Sequence, residues 1–558
     1  ARLHQIIFYL SQQNLFQTIR TQSKKPYDLP IYTTKEGKIA VKSKQENKMG
    51  KHIAIFGPTG YIGTKVVMEL YNMGYSITLF TRNLRKLLYL QDDCELFMNQ
   101  SSHVCLVETE IKKSNYDVIK HALEGVDAIY YLVHSLNIEN GSFLNQDNDM
   151  AELVASAAKD ANVKQIIYLG GLGVDNVERP LSEHLKSRHE TGEFLRKGHP
   201  NVTEFRAGVI VGEGSASFEL IRSLGIKLPL IPSLGDNEGY CQPIFVNDVI
   251  DYLLYALLNP KYYDKIAEIG CDEVLHYSDI VKIYAQTVNA KYLTSILIPF
   301  ASIVLRPQLI SWFASRMSGM PYILVYRLIE GAYCDAIVHD YPISKIDPDS
   351  PIKPLSFKES LLIAAKRCEE GYINSTWSTP FEYSVLNFNT KKQFFQLSSQ
   401  EIDGLIHDEF IRTIPAEDIK KVFDKIKSIG GKNGYYSTRW LWEARGFIDT
   451  IMGGPGLNNC VRPATKLLRV GDHIDFWVVT YYKNAPNHKV LRLKANMKTP
   501  GNAWLQFSID RQEGSPTALV TMRPYFDPSG IFGHLYWYSL YFIHKIIFNQ
   551  MIQNIVKV

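Results

Sequence analysis

The stretch 56–63, FGPTGYIG, decides the fold of the first half of the chain. It follows the apolar run KHIAI and precedes TKVVMELYNMGY, in which apolar residues recur at helical spacing. A second apolar run, SITLF at 76–80, comes next. A strand, a glycine-rich turn, a helix and a second strand form the opening unit of a dinucleotide-binding fold. A glycine-rich turn without any ligand is the alternative interpretation.

The three glycines of this turn have separate predicted roles. Gly57 permits the tight turn, Gly60 lets the backbone approach a pyrophosphate, and Gly63 lets the helix pack closely on the strand. The helix N-terminus supplies amide donors and the positive end of the helix dipole for the phosphates. The predicted phosphate contacts are Gly57, Thr59, Gly60, Tyr61, Ile62 and Gly63.

The residues after the second strand indicate which dinucleotide is bound. An NAD site has an Asp or Glu there to hold the ribose 2′-hydroxyl. No acid lies between Tyr75 and Asp92, and a polar, basic cluster follows the strand instead. A guanidinium pairs well with a 2′-phosphate, so the sequence favours NADP(H) over NAD(H). A solvated basic turn beside an NAD site is the alternative. The cluster is formed by Thr81, Arg82, Arg85 and Lys86.

Strand and helix patterns alternate up to about residue 212, which predicts an α/β fold with a doubly wound, Rossmann-like parallel sheet. The ligand of such a sheet lies at the carboxyl ends of the strands. The runs 278–290 and 319–338 predict a helical, substrate-facing part after the sheet. The strand ends that we expect beside the ligand carry Gly57, Leu132, Val133, His134, Gly170 and Gly171.

Four segments carry a resemblance to a known family. GPTGYIG, YYLVHS, YLGGLG and TEFRAGVIVGEGSASFELIRSL resemble the atypical, NmrA-like branch of the short-chain dehydrogenase/reductase superfamily. Segments of the second half, such as LRVGDHIDFWVV and MKTPGNAWLQFSI, resemble an uncharacterised domain that is fused to that reductase-like domain in a group of bacterial proteins. The similarity covers about 51–556, with an insertion near 376–410. It implies that Arg188 and Arg206 also lie near the cofactor.

The resemblance also implies where the catalytic residues of the superfamily belong. A Ser follows the fifth strand, and a Tyr-x-x-x-Lys motif lies on the next helix. Here Gly170 and Gly171 occupy the serine place, His184 the tyrosine place and Arg188 the lysine place. A non-standard reductase that uses His184 as its acid is one interpretation, since an unperturbed imidazole titrates near pH ~6.5. A binding domain that keeps its nucleotide without turnover is the interpretation that we favour.

The last part of the chain reads as a separate α+β domain. Several strand patterns with turn signals between them are followed by a long aromatic helix. This order predicts a helix-grip, START-like fold with an apolar cavity for a lipid or quinone. Core packing is the alternative explanation for its tryptophans, which are Trp440, Trp442, Trp477, Trp504 and Trp537. The predicted organisation is an N-terminal extension and linker at 1–50, a reductase-like domain at 51–375, a connecting insertion at 376–411 and a C-terminal domain at 412–558.

Composition narrows the class of protein further. The formal net charge is only +4 over 558 residues and no long basic patch occurs, which gives no support for nucleic acid binding. The seven cysteines are widely spaced without a Cys-x-x-Cys motif, so we expect no metal site. No stretch has the ~20 nearly uninterrupted apolar residues that a membrane-spanning helix needs. The first thirty residues are basic, acid-poor and amphipathic, which predicts mitochondrial targeting; a tail that docks on the protein's own surface or on a partner is the alternative.

Three functions fit these observations. The first is an NADP(H)-binding, non-catalytic accessory or assembly subunit of a mitochondrial respiratory complex, most like complex I, on the matrix side and peripheral to the inner membrane. Its partners are then the nucleotide and other protein subunits. The second is an NADPH-dependent reductase of a quinone, lipid or other apolar substrate. The third is a redox-sensing regulator that reads the nucleotide state without catalysis.

Overall fold

The computed structural model describes most of two folded parts of the chain and a short segment before them. The described residues are 31–34, 37–40, 50–82, 104–133, 143–175, 177, 179–228, 230–233, 238–288, 294–297, 306–318, 320–370, 405–451, 457, 468 and 473–557. No helix among them is long and apolar enough to cross a membrane.

The first part is built on a nine-stranded sheet. Its order is β1-β2-β5-β4-β3-β6-β7-β8-β9, and the seven strands β3 to β9 run parallel. The chain moves outward from β3 to β5 and then crosses to β6 on the other side of β3, so the topological switch point lies between β3 and β6. The predicted doubly wound sheet is confirmed. The strands are β1 (Ile31–Thr34), β2 (Gly37–Ala40), β3 (His52–Phe56), β4 (Ser76–Thr81), β5 (Val104–Glu108), β6 (Ala128–Tyr131), β7 (Gln165–Gly171), β8 (Val202–Ala207) and β9 (Lys265–Ile269).

Helices cover both faces of this sheet, as the apolar content of the parallel strands requires. On one face, Val66 and Leu70 of α1 and Leu253 of α6 pack on the strands. On the other face, Ile119 of α2 and Leu195 of α4 belong to a second core cluster. The helices of the first part are α1 (Tyr61–Asn72), α2 (Tyr116–Ala122), α3 (Phe143–Asp160), α4 (Glu183–Gly198), α5 (Ala216–Lys227), α6 (Val246–Tyr255), α7 (Tyr277–Thr287), α8 (Pro307–Ser318), α9 (Tyr322–Gly331), α10 (Ile343–Ile346) and α11 (Phe357–Glu370).

Short strand pairs and caps complete the first part. Segments 230–233 and 294–297 pair in parallel, as do 210–211 and 244–245, while 240–241 and 275–276 pair antiparallel. The Ser182 side chain caps α4 by accepting a hydrogen bond from the Leu185 amide at 3.3 Å. Helix α7 begins one residue before the predicted run 278–290, and α9 lies within the predicted run 319–338.

The N-terminal extension contributes to the sheet, which the sequence interpretation did not include. Strands β1 and β2 form an antiparallel hairpin, and β2 pairs antiparallel with β5. The sequence predicts a linker here, because residues 34–50 are polar and lysine-rich. The sheet therefore ends in a hairpin at this edge instead of at the parallel strand β5.

The second part is an antiparallel sheet with helices on one face, which confirms the predicted α+β class. The order is β10-β16-β15-β14-β13-β12, and β11 also pairs with β16. Helices α12 and α14 supply apolar side chains to the core on one face of this sheet. The elements are β10 (Ile406–His407), β11 (Phe410–Pro415), α12 (Ile419–Lys427), α13 (Arg439–Ile451), β12 (His473–Ile474), β13 (Trp477–Asn484), β14 (His488–Ala495), β15 (Gly501–Asp510), β16 (Thr517–Pro528) and α14 (Gly530–Val556).

The tryptophans of this part have mixed environments. Trp442, Trp477 and Trp537 are buried, and Trp442 stacks on Tyr435 with ring centroids 4.2 Å apart. Trp440 lies on the exposed side of α13 instead. Core packing therefore accounts for the three buried rings. A START-like cavity with a lipid or quinone ligand stays a prediction.

Candidate functional site

The glycine-rich loop lies at the topological switch point, directly after β3. Gly57 has φ +84°, a conformation that side chains rarely adopt. A Cβ on Gly57 would lie 2.6 Å from the Leu132 carbonyl oxygen, and the Leu132 amide donates to the Phe56 carbonyl at 2.9 Å. Loop and β6 are thus in such close contact that only glycine fits at position 57.

The other two glycines differ in what constrains them. A Cβ on Gly63 would lie only 2.1 Å from the Gly57 carbonyl oxygen, so close packing of α1 on the loop requires glycine there. Gly60 has φ −73° and ψ 165°, which any residue adopts. Its nearest neighbour for an added Cβ is the Gly57 carbonyl oxygen at 3.4 Å. Among the described residues, no other atom outside its chain neighbours and its own helix lies within 4 Å of an added Cβ, so they do not require glycine at position 60.

The N-terminus of α1 faces the same loop. Gly60 is its N-cap, no side chain caps the helix, and no acidic residue lies in its first turn. The first backbone amides of a helix, here those of Tyr61 and Ile62, have no partner within the helix and are suited to bind an anion. The Tyr61 hydroxyl donates to the Glu213 carbonyl at 3.0 Å, so its side chain serves the packing of the protein. Thr59 lies in the turn itself.

The end of β4 carries the residues predicted to select the dinucleotide. Thr81 is buried and its carbonyl accepts from the Thr109 amide at 2.9 Å, whereas Arg82 is exposed. Glu110 lies just after the neighbouring strand β5. Sequence reasoning missed it because the rule for NAD sites considers only the acid that follows β4 along the chain. Its pairing with Lys112 at 2.8 Å lowers the pKa of its carboxyl, and Arg82 adds to that shift. Arg85, Lys86 and His134 lie outside the described residues.

The end of β7 leaves little room for a serine side chain. A Cβ on Gly171 would lie 2.7 Å from Cδ2 of Leu185, and one on Gly170 would lie 3.3 Å from the Tyr168 ring. Leu185 is a flexible apolar side chain, whereas the Tyr168 ring is fully buried. The place that holds the serine hydroxyl in the superfamily is thus filled by neighbouring side chains. Between β7 and β3, Leu132 and Val133 follow β6 next to the glycine-rich loop.

His184 and Arg188 lie one helical turn apart at the start of α4. Burial, together with the neighbouring guanidinium groups of Arg188 and Arg327, lowers the pKa of His184 to about 3. The imidazole is therefore neutral at physiological pH. The Arg188 guanidinium donates to the Leu169 carbonyl and lies over the Tyr168 ring, 5.5 Å from its centroid. Arg188 is thus fixed against the end of β7.

Arg206 lies in a buried ion-pair cluster. Its Nε is 2.8 Å from Glu204, a fully buried carboxylate that also pairs with Arg196. Gly192 of α4 makes room for this carboxylate, because an added Cβ would lie 2.2 Å from it. The structure thus assigns Arg206 a contact within the protein, two strands away from β6. Its predicted contact with the cofactor stays a prediction.

A second buried carboxylate, which sequence reasoning missed, ties the loop helix to the rest of the domain. Glu213 is 2.9 Å from Lys65 of α1 and 3.4 Å from Arg367 of α11. It lies in the run GEGSASFEL that carried part of the family resemblance, which was the one available signal. Within the described ranges, no group of His, Cys, Asp and Glu is arranged to hold a metal ion.

Fold and site together define a Rossmann-like domain of the short-chain dehydrogenase/reductase type. Residues 49–311 match the model of the NmrA-like family, which confirms the NmrA-like resemblance for this part. Residues 403–551 match the model of a protein family of unknown function, DUF2867.

Two curated relatives from Arabidopsis thaliana match parts of the chain. One is the mitochondrial NADH dehydrogenase [ubiquinone] 1 alpha subcomplex subunit 9, 22% identical over 232 residues, which are 41% of this chain and 56% of the relative. The other is dihydroflavonol 4-reductase, 23% identical over 151 residues, which are 25% of this chain and 37% of the relative. The chain thus spans about half of the first relative and about a third of the second.

Two solved structures are similar to part of the chain. A UDP-glucose 4-epimerase from Thermotoga maritima is 16% identical, with a TM-score of 0.40, over 56% of this chain and 97% of that one. The terminal R domain of the myxalamid biosynthetic pathway is 14% identical, with a TM-score of 0.44, over 58% of this chain and 92% of that one.

Proposed function

We propose that the protein binds NADP(H) and keeps it without turnover, as an accessory or assembly subunit of a mitochondrial respiratory complex similar to complex I. One observation carries the binding step. Gly60 lies in an unstrained conformation at the uncapped N-terminus of α1, and among the described residues an added Cβ would meet only the Gly57 carbonyl oxygen, at 3.4 Å. A ligand explains glycine at this position, since the pyrophosphate of a dinucleotide needs close approach to the backbone.

The choice of NADP(H) is supported by the charges at the end of β4. Arg82 is exposed there and free of steric cover, as a residue that pairs with a 2′-phosphate must be. Glu110, the acid that the structure places nearby, is already paired with Lys112. A carboxylate held in this way repels a phosphate less than an unpaired one.

The absence of turnover is supported by the residues at the catalytic places. Hydride transfer to a carbonyl develops negative charge on oxygen, and general acid help is typically worth ~10²–10⁴-fold. His184 is neutral at physiological pH and therefore a weak acid. Arg188 keeps its charge and its proton. Gly170 and Gly171 offer no hydroxyl.

The proposed partners rest on the relative that is a subunit of mitochondrial NADH dehydrogenase. The basic, acid-poor N-terminus supports the mitochondrial assignment, and a peripheral position on the matrix side follows from it. This part of the proposal is tested by the native mass of the protein solubilised from its source membrane with mild detergent. A band far above the mass of a monomer or dimer is expected; a free monomer or dimer would contradict the assignment to a complex.

The nucleotide part is tested on the purified full chain. NADPH should be released on denaturation in near-stoichiometric amount, and the bound NADPH should not be oxidised by simple ketones, aldehydes or quinones. His184→Gln should leave occupancy unchanged. Steady NADPH oxidation by the wild type would contradict the proposal.

A reductase is the second candidate, favoured by the partial match to dihydroflavonol 4-reductase. It requires turnover that collapses in His184→Gln. His189→Gln is the matched control, because His189 lies on the same helix as His184 and burial lowers its pKa as well. Its Nε2 is 3.0 Å from the carbonyl oxygen of Gly171, at the end of β7. A loss confined to His184→Gln would establish a histidine-dependent reductase.

A further inference from the structure

The long helix α14 exposes one apolar face along most of its first five turns. The side chains on this face recur three or four residues apart and are 43–82% exposed. Monomeric soluble proteins rarely expose so many large apolar side chains in one row. This apolar stripe consists of Ile531, Phe532, Leu535, Tyr538, Phe542, Ile543 and Ile546.

The opposite face of the same helix packs on the core of the second part. Trp537 stacks on Phe526 of β16 with ring centroids 5.4 Å apart, and Phe548, Met551 and Ile552 belong to the core of the second part. The sheet therefore holds α14 in place without the apolar stripe. Packing within the domain does not explain why the stripe is apolar.

The polar groups of this face are unusually few. Protein interfaces carry about one hydrogen bond per ~100–200 Å² and need donors and acceptors accordingly. Between Ile531 and Ile546, the exposed side chains that can hydrogen-bond are His534, Tyr538, Ser539 and Lys545. The Ser539 hydroxyl already donates to the Tyr536 carbonyl at 3.0 Å, and Nδ1 of His534 lies 3.0 Å from the Gly530 carbonyl oxygen. Such a face is better matched to acyl chains than to a protein surface.

Charge points to the same occupant. No Asp or Glu occurs in 530–556, while His534 and Lys545 are exposed on α14 beside the stripe. Lys545 lies over the Tyr541 ring, 4.7 Å from its centroid, at the edge of this face. Bilayer surfaces that contain anionic lipid attract cations and repel carboxylates.

We propose that the apolar stripe of α14 inserts into the interfacial region of a phospholipid bilayer that contains anionic lipid, so that the second part of the chain binds the membrane surface. The helix would lie in the plane of the interface with its other face still packed on the sheet. Aromatic side chains suit this depth, since one end of the ring system is apolar and the other is wet. This proposal does not depend on nucleotide binding.

Flotation of the full chain with vesicles tests the proposal. The wild type should float with vesicles of phosphatidylcholine and phosphatidylglycerol. Phe532→Ser/Phe542→Ser should reduce the bound fraction by more than about tenfold, since two large side chains that would insert into the bilayer are lost. The matched control is Ile226→Ser/Val274→Ser, which removes two apolar side chains of the first part that are 48% and 52% exposed. This control should float like the wild type.

Folding and self-association are measured on the same samples. Because the changed residues are exposed, the melting temperature by circular dichroism should be the same in all three proteins. A wild type that stays in the dense fraction, or equal flotation of both double variants, would overturn the proposal. A wild-type dimer seen by light scattering without vesicles, and lost in Phe532→Ser/Phe542→Ser, would overturn it in favour of an interface between two copies.

Discussion

Replacing single glycines of the glycine-rich loop by alanine distinguishes a glycine that stability requires from one that nucleotide binding requires. At Gly57, φ +84° and a Cβ only 2.6 Å from a backbone carbonyl oxygen both oppose alanine. The left-handed conformation alone costs ~1–2 kcal/mol, and the steric conflict adds to it. At Gly60, φ −73° and an ordinary 3.4 Å contact cost almost nothing. Because alanine restricts the unfolded chain, Gly60→Ala should change stability by only about +0.4 to +1 kcal/mol.

For NADPH binding, in contrast to stability, we expect alanine at Gly60 to have a large effect. In Gly60→Ala the added methyl group points into the space where the pyrophosphate is proposed to lie, so NADPH binding should weaken by at least tenfold, or ~1.4 kcal/mol. At a concentration 100 times its Kd, a ligand stabilises the folded state by ~2.7 kcal/mol. A domain of about 325 residues has an unfolding entropy of roughly 0.7 kcal/mol/K, so we expect NADPH to raise the Tm of the wild type by roughly 4 °C.

The assay is thermal unfolding of wild type and both variants, with and without NADPH, together with calorimetric titration. Gly60→Ala should unfold at or slightly above the wild-type Tm without NADPH and gain at least 2 °C less from its addition. Gly57→Ala should have a lower Tm or fail to fold. If Gly60→Ala gains as much from NADPH as the wild type, the nucleotide does not contact this loop, and the binding proposal is refuted.

Three further predictions concern charged groups. Arg82→Ala should weaken binding of NADPH by at least tenfold and that of NADH little; equal losses in calorimetry would show that Arg82 does not contact the 2′-phosphate. Because the folded pKa of His184 is about 3, below the ~6.5 of the unfolded chain, the unfolded state binds the proton, and stability is lost as pH falls below ~6.5. Between pH 6.5 and 5.5 this loss is about 1 kcal/mol, and urea unfolding should show it reduced in His184→Gln; an unchanged slope would place the ring in water. Glu213→Gln should cost about 3 kcal/mol of unfolding free energy because it leaves buried cations uncompensated, whereas Glu110→Gln, at an exposed pair, should cost less than ~1 kcal/mol; similar losses in both would contradict the buried role.

The sequence predicted the architecture well because its signals are local. Glycine at 57, 60 and 63 between two buried strands suffices to place the loop, and strictly alternating βα units leave few topologies for the sheet. The second part was predicted to the level of its class, since antiparallel strands and a terminal helix have clear periodicities. Neither signal needs knowledge of which residues meet in space.

Contacts between distant segments were not predictable in this way. The ion pairs of Glu213 join it to Lys65 of α1 and Arg367 of α11, which are 148 and 154 residues away along the chain, and no local pattern marks them. Glu110 was not predicted because it follows β5, which pairs with β4, and it is therefore near the end of β4 in space but not in sequence. The hairpin of β1 and β2 was not predicted for a different reason: each strand has only four residues, β2 lies in a polar, lysine-rich stretch, and the pairing of β2 with β5 overrides its weak propensity.

The hairpin of β1 and β2 has a colloidal consequence. A parallel sheet that ended at β5 would present a row of unpaired backbone groups, on which a second molecule can add a strand and start aggregation. In strand β2, Lys38 lies opposite Glu108 of β5 and Ile39 lies opposite Val107. Strand β2 therefore pairs with the backbone groups of this row. A chain that is cut after residue 40 would lose this cover and should precipitate on storage, even though its nucleotide loop is untouched.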